Sequence, residues 1–305
     1  MKSILITGGS GFIGTQLCKK LINKGYKVSV LGRTKKQDKE ITFYTWDLKN
    51  KVIEENAIEK TDCIIHLAGE NIGEKRWTKK RKQEIVDSRI KTTQLIFDKV
   101  KNCNKKLDVF ISASAIGYYG AITSSKIFTE NDLPSSDFLG FTCNKWEQYA
   151  DKFEELGIRT VKIRTGVVLS EKGGALLKML TPVKLGFASA IGSGKQYIPW
   201  IHIDDLCDIY IKALEDDEIK GAYNAVAPEF ITNKEFNKTL AMILKKPFWN
   251  INIPAIFFKF LLGKMSEIIL EGSRISSEKI IEKGYKFKFT NLRSALENLL
   301  TTNSK

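Results

Sequence analysis

Residues 3–14 read SILITGGSGFIG: a short apolar run, a glycine-rich turn, and the opening of a stretch that continues to Gly25. The apolar run predicts a buried strand. The 3.6-residue spacing of FIGTQLCKKLIN predicts a helix, which Gly25 stops. Within the turn the glycines fall at Gly8, Gly11 and Gly14. Gly8 permits a tight turn, Gly11 lets backbone approach a pyrophosphate, and Gly14 lets the helix pack close to the sheet. The helix start at Phe12 and Ile13 offers free N–H groups and a positive dipole end to an anion. Strand, turn and helix in this order predict a dinucleotide site.

The same rhythm continues to about residue 170. KVSVLG, ITFYTW, CIIHLAG, DVFISASA and TVKIRTGVVL read as further strands, separated by helical stretches over 79–102 and 142–156. Apolar strands alternating with amphipathic helices predict an α/β fold, a Rossmann-type doubly wound parallel sheet. The pattern divides the chain into a dinucleotide-binding domain over 1–170, its sheet completed by parts of 200–230, and a smaller C-terminal α/β lobe over 171–305. Residues 250–300 form a subdomain of that lobe. In it IPAIFFKFLLG (253–263) is too short to span a bilayer and is read as a buried helix. The tail TTNSK is expected to fray.

Totals exclude several classes. No apolar run reaches the roughly 20 residues of a membrane span, and the start lacks a signal-peptide pattern. Five scattered cysteines, none in a C-x-x-C pair, fit reduced thiols in a cytoplasm. Only His66 and His202 are present, against a histidine-rich metal centre; no metal is expected. The net charge of +14 comes with dispersed lysines and no nucleic-acid motif. It is read as a solvated surface, with neither nucleic acid nor membrane as a partner.

The end of the second strand selects the cofactor. LGRT places Gly32 where a carboxylate would repel a 2′-phosphate, then Arg33 to pair with that phosphate and Thr34 beside it, so NADP(H) is expected over NAD. Asp47 follows the third strand and suits an adenine amino group. His66, Leu67, Ala68 and Gly69 end the fourth in small residues where a cofactor backbone passes. His66 reads equally as a ligand contact and as a satisfied core histidine.

TGGSGFIG, WDL, HLAG, SASAIGYYG and WIHIDDL resemble the extended short-chain dehydrogenase/reductase superfamily. AGENIGEKRW, SRIKTTQL, RTGVVLSEKGGALLKML and the C-terminal IPAIFFKFLLGKMSEIIL resemble, more narrowly, its atypical YfcH-type NAD-dependent epimerase/dehydratase family. The resemblance implies that Glu84 and Arg89 reach the cofactor and that Val167 and Val168 lie at its nicotinamide end. It also implies a serine, tyrosine and lysine apparatus. Ser114 and Lys145 match the first and last, but Phe141 stands at the tyrosine position. Tyr118 or Tyr119 could bring a phenol from the loop, Lys145 could move the proton itself, or nothing substitutes. Aromatic packing explains the two tyrosines equally well. Arg164 either orients an anion or pairs with Asp204 or Asp205. Two functions are therefore carried forward. One is an NADP-dependent oxidoreductase or sugar-nucleotide-epimerase-like enzyme acting on a small, in one version nucleotide-linked, substrate. The other is a non-catalytic NADP-binding regulatory or redox-sensing protein. Either is read as a monomer or homodimer.

Overall fold

The computed structural model describes residues 2–301; of the tail TTNSK, 302–305 lie outside the described residues. The chain runs β1 (Ser3–Thr7), α1 (Phe12–Asn23), β2 (Lys27–Gly32), β3 (Ile41–Asp47), β4 (Val52–Ile53), α2 (Asn56–Glu59), β5 (Cys63–His66), α3 (Lys79–Asn102) and β6 (Val109–Ala115). After a 3-10 turn over Ile116–Tyr119 come β7 (Ile127–Phe128), α4 (Phe138–Asp151), β8 (Arg159–Thr165), β9 (Val167–Leu169), α5 (Ala175–Lys184), β10 (Ala188–Ile191), β11 (Trp200–His202), α6 (Ile203–Glu215) and β12 (Gly221–Ala225). The remainder is α7 (Asn233–Ile243), β13 (Phe248–Ile253), α8 (Ala255–Leu262), α9 (Glu267–Leu270), β14 (Arg274–Ile275), α10 (Glu278–Glu282) and α11 (Leu292–Thr301).

Eight strands form one sheet in the order β12-β8-β6-β5-β1-β2-β3-β4, parallel except for the short β4. Strand order reverses between β1 and β5, which opens a crevice at the carboxyl ends of those strands. Alternation along the strands feeds two apolar layers. Ile4 and Ile6 of β1 pack with Leu17 and Leu21 of α1 and Leu206 and Tyr210 of α6. Leu5, between them, packs with Ile96 and Val100 of α3 and with Phe110 and Phe153. The last two rings stack with centroids 3.7 Å apart.

The apolar run 160–169 is broken at Gly166 into β8, in the main sheet, and β9, which pairs with β11. A Cβ at Gly166 would lie 2.4 Å from the Pro199 carbonyl oxygen, so only glycine lets the two segments cross. The segment 253–263 is not the buried helix its apolar sequence predicts. No residue of α8 is buried. Ala255, Phe258 and Leu262 are partly buried and the rest of the helix is exposed, so neighbouring chain covers too little of it to enclose a helix apolar on every side.

The C-terminal residues are tied to α6 by one buried carboxylate. Asp205 accepts from the Tyr285 hydroxyl at 2.8 Å, from Lys288 N at 2.8 Å and from Phe289 N at 3.0 Å. His202 caps α6 by accepting from Asp204 N and stacks on Phe289 with centroids 3.8 Å apart. WIHIDDL is thus a structural junction. Asp205→Ala strands three donors, the Tyr285 hydroxyl among them buried, and is expected to cost on the order of 2–4 kcal/mol. Urea denaturation checks this, and a loss below about 1 kcal/mol would show that other contacts hold the junction.

Candidate functional site

The glycine turn is pressed against the end of β5. Gly8 has φ +69°, and a Cβ there would meet the backbone of Leu67 and Ala68 at 3.0 Å. A Cβ at Gly14 would lie 2.4 Å from the Gly8 carbonyl oxygen. The first turn of α1, with its N–H groups at Phe12, Ile13 and Gly14, is therefore brought directly over the crevice. The Phe12 ring leaves that surface and packs beneath Gly173 and Gly174. A cleft of about 470 Å³ flanks Ser10, Gly11 and Phe12, walled on the far side by Ser170, Lys172 and His202.

Behind the turn His66 is a satisfied core histidine. Ala68 N donates to Thr7 Oγ1 at 3.2 Å, and Thr7 Oγ1 lies 2.7 Å from His66 Nδ1. On the other side Thr92 Oγ1 lies 3.2 Å from His66 Nε2 and donates to the Ser88 carbonyl at 2.7 Å. This orders the chain: Thr7 donates to Nδ1, and Nε2–H donates to Thr92. Both ring nitrogens are used, so the imidazole has no polar atom left for a ligand.

Arg89 lies where an anion would be useful. Its guanidinium donates to the carbonyls of Ile85 (2.9 Å) and Glu70 (3.1 Å) and stacks over the Trp146 ring at 4.9 Å. A Cβ on Gly69 would be 3.3 Å from its Cζ. Among the described residues no carboxylate pairs with it, and burial pulls its pKa below the usual arginine value. Glu84 is less available, because one oxygen accepts from Arg81, which also holds Glu70.

At the end of β2, Arg33 and Thr34 are exposed and Arg33 has no partner among the described residues. Nearby, Lys35 is paired with Glu54. Asp47 is occupied: Oδ1 accepts from Lys49 N and Asn50 N, and Oδ2 from the Asn50 side chain, bonds that pull its pKa below the usual carboxylate value. It closes a local turn, with little acceptor capacity left for adenine. Val167 and Val168 are on β9, where Val167 N donates to Pro199 O at 2.7 Å.

Around Ser114, Tyr118 and Tyr119 the structure is built on a buried ion pair between Arg164 and Glu147. Arg164 Nε and Nη2 donate to the two oxygens of Glu147, each at 2.8 Å. Ser114 donates to the same Glu147 at 2.6 Å. Arg164 also donates to the Tyr119 hydroxyl at 3.0 Å, which in turn donates to Asn224 at 2.7 Å. Arg164 thus pairs with neither Asp204 nor Asp205. Tyr119 is buried, and burial pushes its phenol well above its ordinary pKa. Tyr118 stands nearer the surface, with its ring 3.5 Å from the Arg164 guanidinium carbon; partial burial raises its pKa too. Glu147 had a signal in the sequence. It falls on the stripe Cys143, Trp146, Glu147, Ala150 of α4, all buried, where a carboxylate needs a cation. Lys145 donates to Gln148 (3.2 Å), and Phe141 is half exposed on the same helix.

The enclosure of His66 predicts a pH effect. Burial, with the Arg89 charge nearby, holds its pKa at about 3 against an ordinary 6.5. The unfolded imidazole takes a proton near pH 6.5 and the folded one only near 3, so stability present above that window is lost as pH falls through it. The loss is about 1.4 kcal/mol per pH unit. The stability gap between wild type and His66→Gln, read by denaturation at several pH values, is expected to shrink below pH 6.5. A gap independent of pH would mean that the ring is not held neutral.

Comparison with known proteins agrees with this geometry. The model of the NAD dependent epimerase/dehydratase family matches residues 4–225, and a domain of unknown function (DUF1731) matches 253–299. The epimerase family protein YfhF of Bacillus subtilis is 37% identical over 301 residues, covering 98% of each chain. The crystal structure of human epimerase family protein SDR39U1 with NADPH superposes with a TM-score of 0.85 at 32% identity, covering 98% of this chain and 99% of that one. UDP-glucuronic acid 4-epimerase from Bacillus cereus, at 22% identity and a TM-score of 0.80 over 97% of each chain, shares the fold. With an eight-stranded Rossmann-type sheet, the glycine turn over its crevice and this extent of match, the chain belongs to the NAD dependent epimerase/dehydratase family.

Proposed function

We propose that the chain is an NADP(H)-dependent oxidoreductase or sugar-nucleotide-epimerase-like enzyme whose proton chemistry departs from the tyrosine pattern of the superfamily. The observation that carries the cofactor is the unpaired Arg33 after Gly32, with no carboxylate at the end of β2 to repel a 2′-phosphate. The cradle fits the rest of such a molecule: Gly8, Gly11 and Gly14 exclude side chains from the pyrophosphate path, and Arg89 offers an uncompensated cation beside Gly69. The human relative crystallised with NADPH supports the same choice.

When bound, a nicotinamide cofactor supplies or accepts a hydride. The chain's own residues must then hold the substrate oxygen and move its proton. Ser114 has committed its proton to Glu147, so its lone pairs are what it presents. It accepts from a substrate hydroxyl better than it donates to a carbonyl, which favours an alcohol-bearing substrate such as a nucleotide-linked sugar. Tyr118, nearer the surface than Tyr119, is the phenol assigned to proton transfer, with Arg164 against its ring to stabilise the phenolate. Lys145 is assigned to ribose hydroxyls. One observation favours the non-catalytic reading: the hydroxyls of Ser114 and Tyr119 are both spent inside the Glu147–Arg164–Asn224 network, and Phe141 has no proton to give.

One measurement tests the cofactor and a second separates the two readings. Arg33→Ala is expected to weaken NADPH binding by about 10–100-fold, the worth of a charge-assisted contact, and to leave NADH nearly unchanged; an equal loss for both would remove Arg33 from the 2′-phosphate. Separately, NADP(H)-loaded protein is screened against nucleotide sugars and simple carbonyl compounds for epimerised or reduced product. Turnover that falls at least about tenfold in Tyr118→Phe and in Ser114→Ala supports the assignment. Tight NADPH binding with no turnover of any class supports the binding protein.

A further inference from the structure

Two segments that lie side by side have an unusual charge pattern. Residues 172–203 contain four lysines and no acidic residue, and residues 236–266 contain five lysines and no acidic residue. Their strands β10 and β13 pair in parallel, Ala188 with Phe248 and Ser189 with Trp249, so the two acid-free stretches meet along that ribbon.

Beside that ribbon is an apolar face with nothing over it. On α8, Ile256, Phe257, Phe260 and Leu261 are all exposed, Phe260 by 85%. Positions i, i+1, i+4 and i+5 form one stripe of a helix. On the preceding strand Trp249 and Ile251, two residues apart, point outward from one side, Ile251 by 79%. Leu185 and Phe187 continue the face at the end of α5, where the Trp249 indole donates to the Gly186 carbonyl at 2.9 Å. Lys184, Lys245, Lys246 and Lys259 flank these side chains along the chain, are exposed, and have no carboxylate partner among the described residues.

We infer that this face is a peripheral docking surface for an anionic lipid bilayer, with α8 lying in the interfacial plane. Aromatic and aliphatic side chains enter the headgroup–acyl boundary while lysines at the rim meet anionic headgroups, and each contribution raises the other. Trp249 has the amphipathic ring such boundaries favour. The charge argues against the other occupants. A second copy seated through its own equivalent face would set unpaired lysines against the same lysines. Nor does α8 span: its eight residues rise about 12 Å, and among the described residues no helix is long and apolar enough to cross a membrane. The sequence alone pointed to no membrane partner; this surface adds contact from one side.

The full-length protein is sedimented with vesicles of phosphatidylcholine alone and of phosphatidylcholine with phosphatidylglycerol, at about 0.05 M and about 0.5 M salt. Binding is expected on the anionic vesicles, weaker at high salt and weakest on phosphatidylcholine alone. Phe257→Asn with Phe260→Asn is expected to lower the partition coefficient at least about tenfold. Lys245→Glu with Lys246→Glu is expected to lower it several-fold on anionic vesicles only, about as two lost lysine contacts predict. Both pairs are exposed, so NADPH binding and the thermal midpoint should stay at wild-type values. Absence of binding to anionic vesicles at low salt overturns the proposal. So does undiminished binding by the doubly substituted Phe variant, which would reduce the effect to net charge. A concentration-dependent dimer in ultracentrifugation that this variant abolishes would assign the face to a second copy instead.

Discussion

The Arg164–Glu147 pair is the interaction on which the working end of this molecule depends. It is bidentate, buried and shared among five elements: β8 supplies the arginine, α4 the glutamate, β6 Ser114, the 3-10 turn Tyr119, and β12 Asn224 through the tyrosine. Neither charge could stay ionised there alone, so the elements are held in one arrangement. The network also reaches the C-terminal segment, because the Asn224 side chain donates to the Ser276 carbonyl at 3.1 Å. A single ion pair thereby sets the depth of the crevice floor and the orientation of the hydroxyls around it.

That rigidity has a chemical cost. Hydroxyls tied into a satisfied network are positioned well but have fewer protons to exchange. Ser114 retains only acceptor capacity, and Tyr119 has both its donor and an acceptor position engaged. The groups outside that network, Tyr118 and Lys145, keep freedom that Ser114 and Tyr119 lack. A gradient from a locked floor to an adaptable rim suits a site in which recognition occurs at the mouth.

Much of the architecture was legible in the sequence because it rests on local patterns. Glycines at fixed offsets after an apolar run, and strands alternating with amphipathic helices, specify the parallel sheet with little help from long-range contacts. What resisted reading depends on pairings distant in sequence. Arg164 finds its partner 17 residues away on a helix, and spacing alone does not single out Glu147 over Asp204 or Asp205. The two ring nitrogens of His66 are claimed by Thr7 and Thr92, 59 and 26 residues distant. Asp47 is spent on its own turn, which sequence permits but does not require. The apolar α8 misled for the opposite reason: hydrophobicity signals burial only when enough chain remains to cover it.

Phe141 stands half exposed on α4 and takes no part in the ion-pair network beneath it. The fold therefore exerts almost no hold over the identity of that side chain. A buried position resists change because its neighbours must repack, whereas an exposed helical one can accept a ring with or without a hydroxyl at little cost in stability. Whatever keeps an aromatic there acts through what reaches the crevice from outside, and the position is open to altered chemistry without any renegotiation of the architecture.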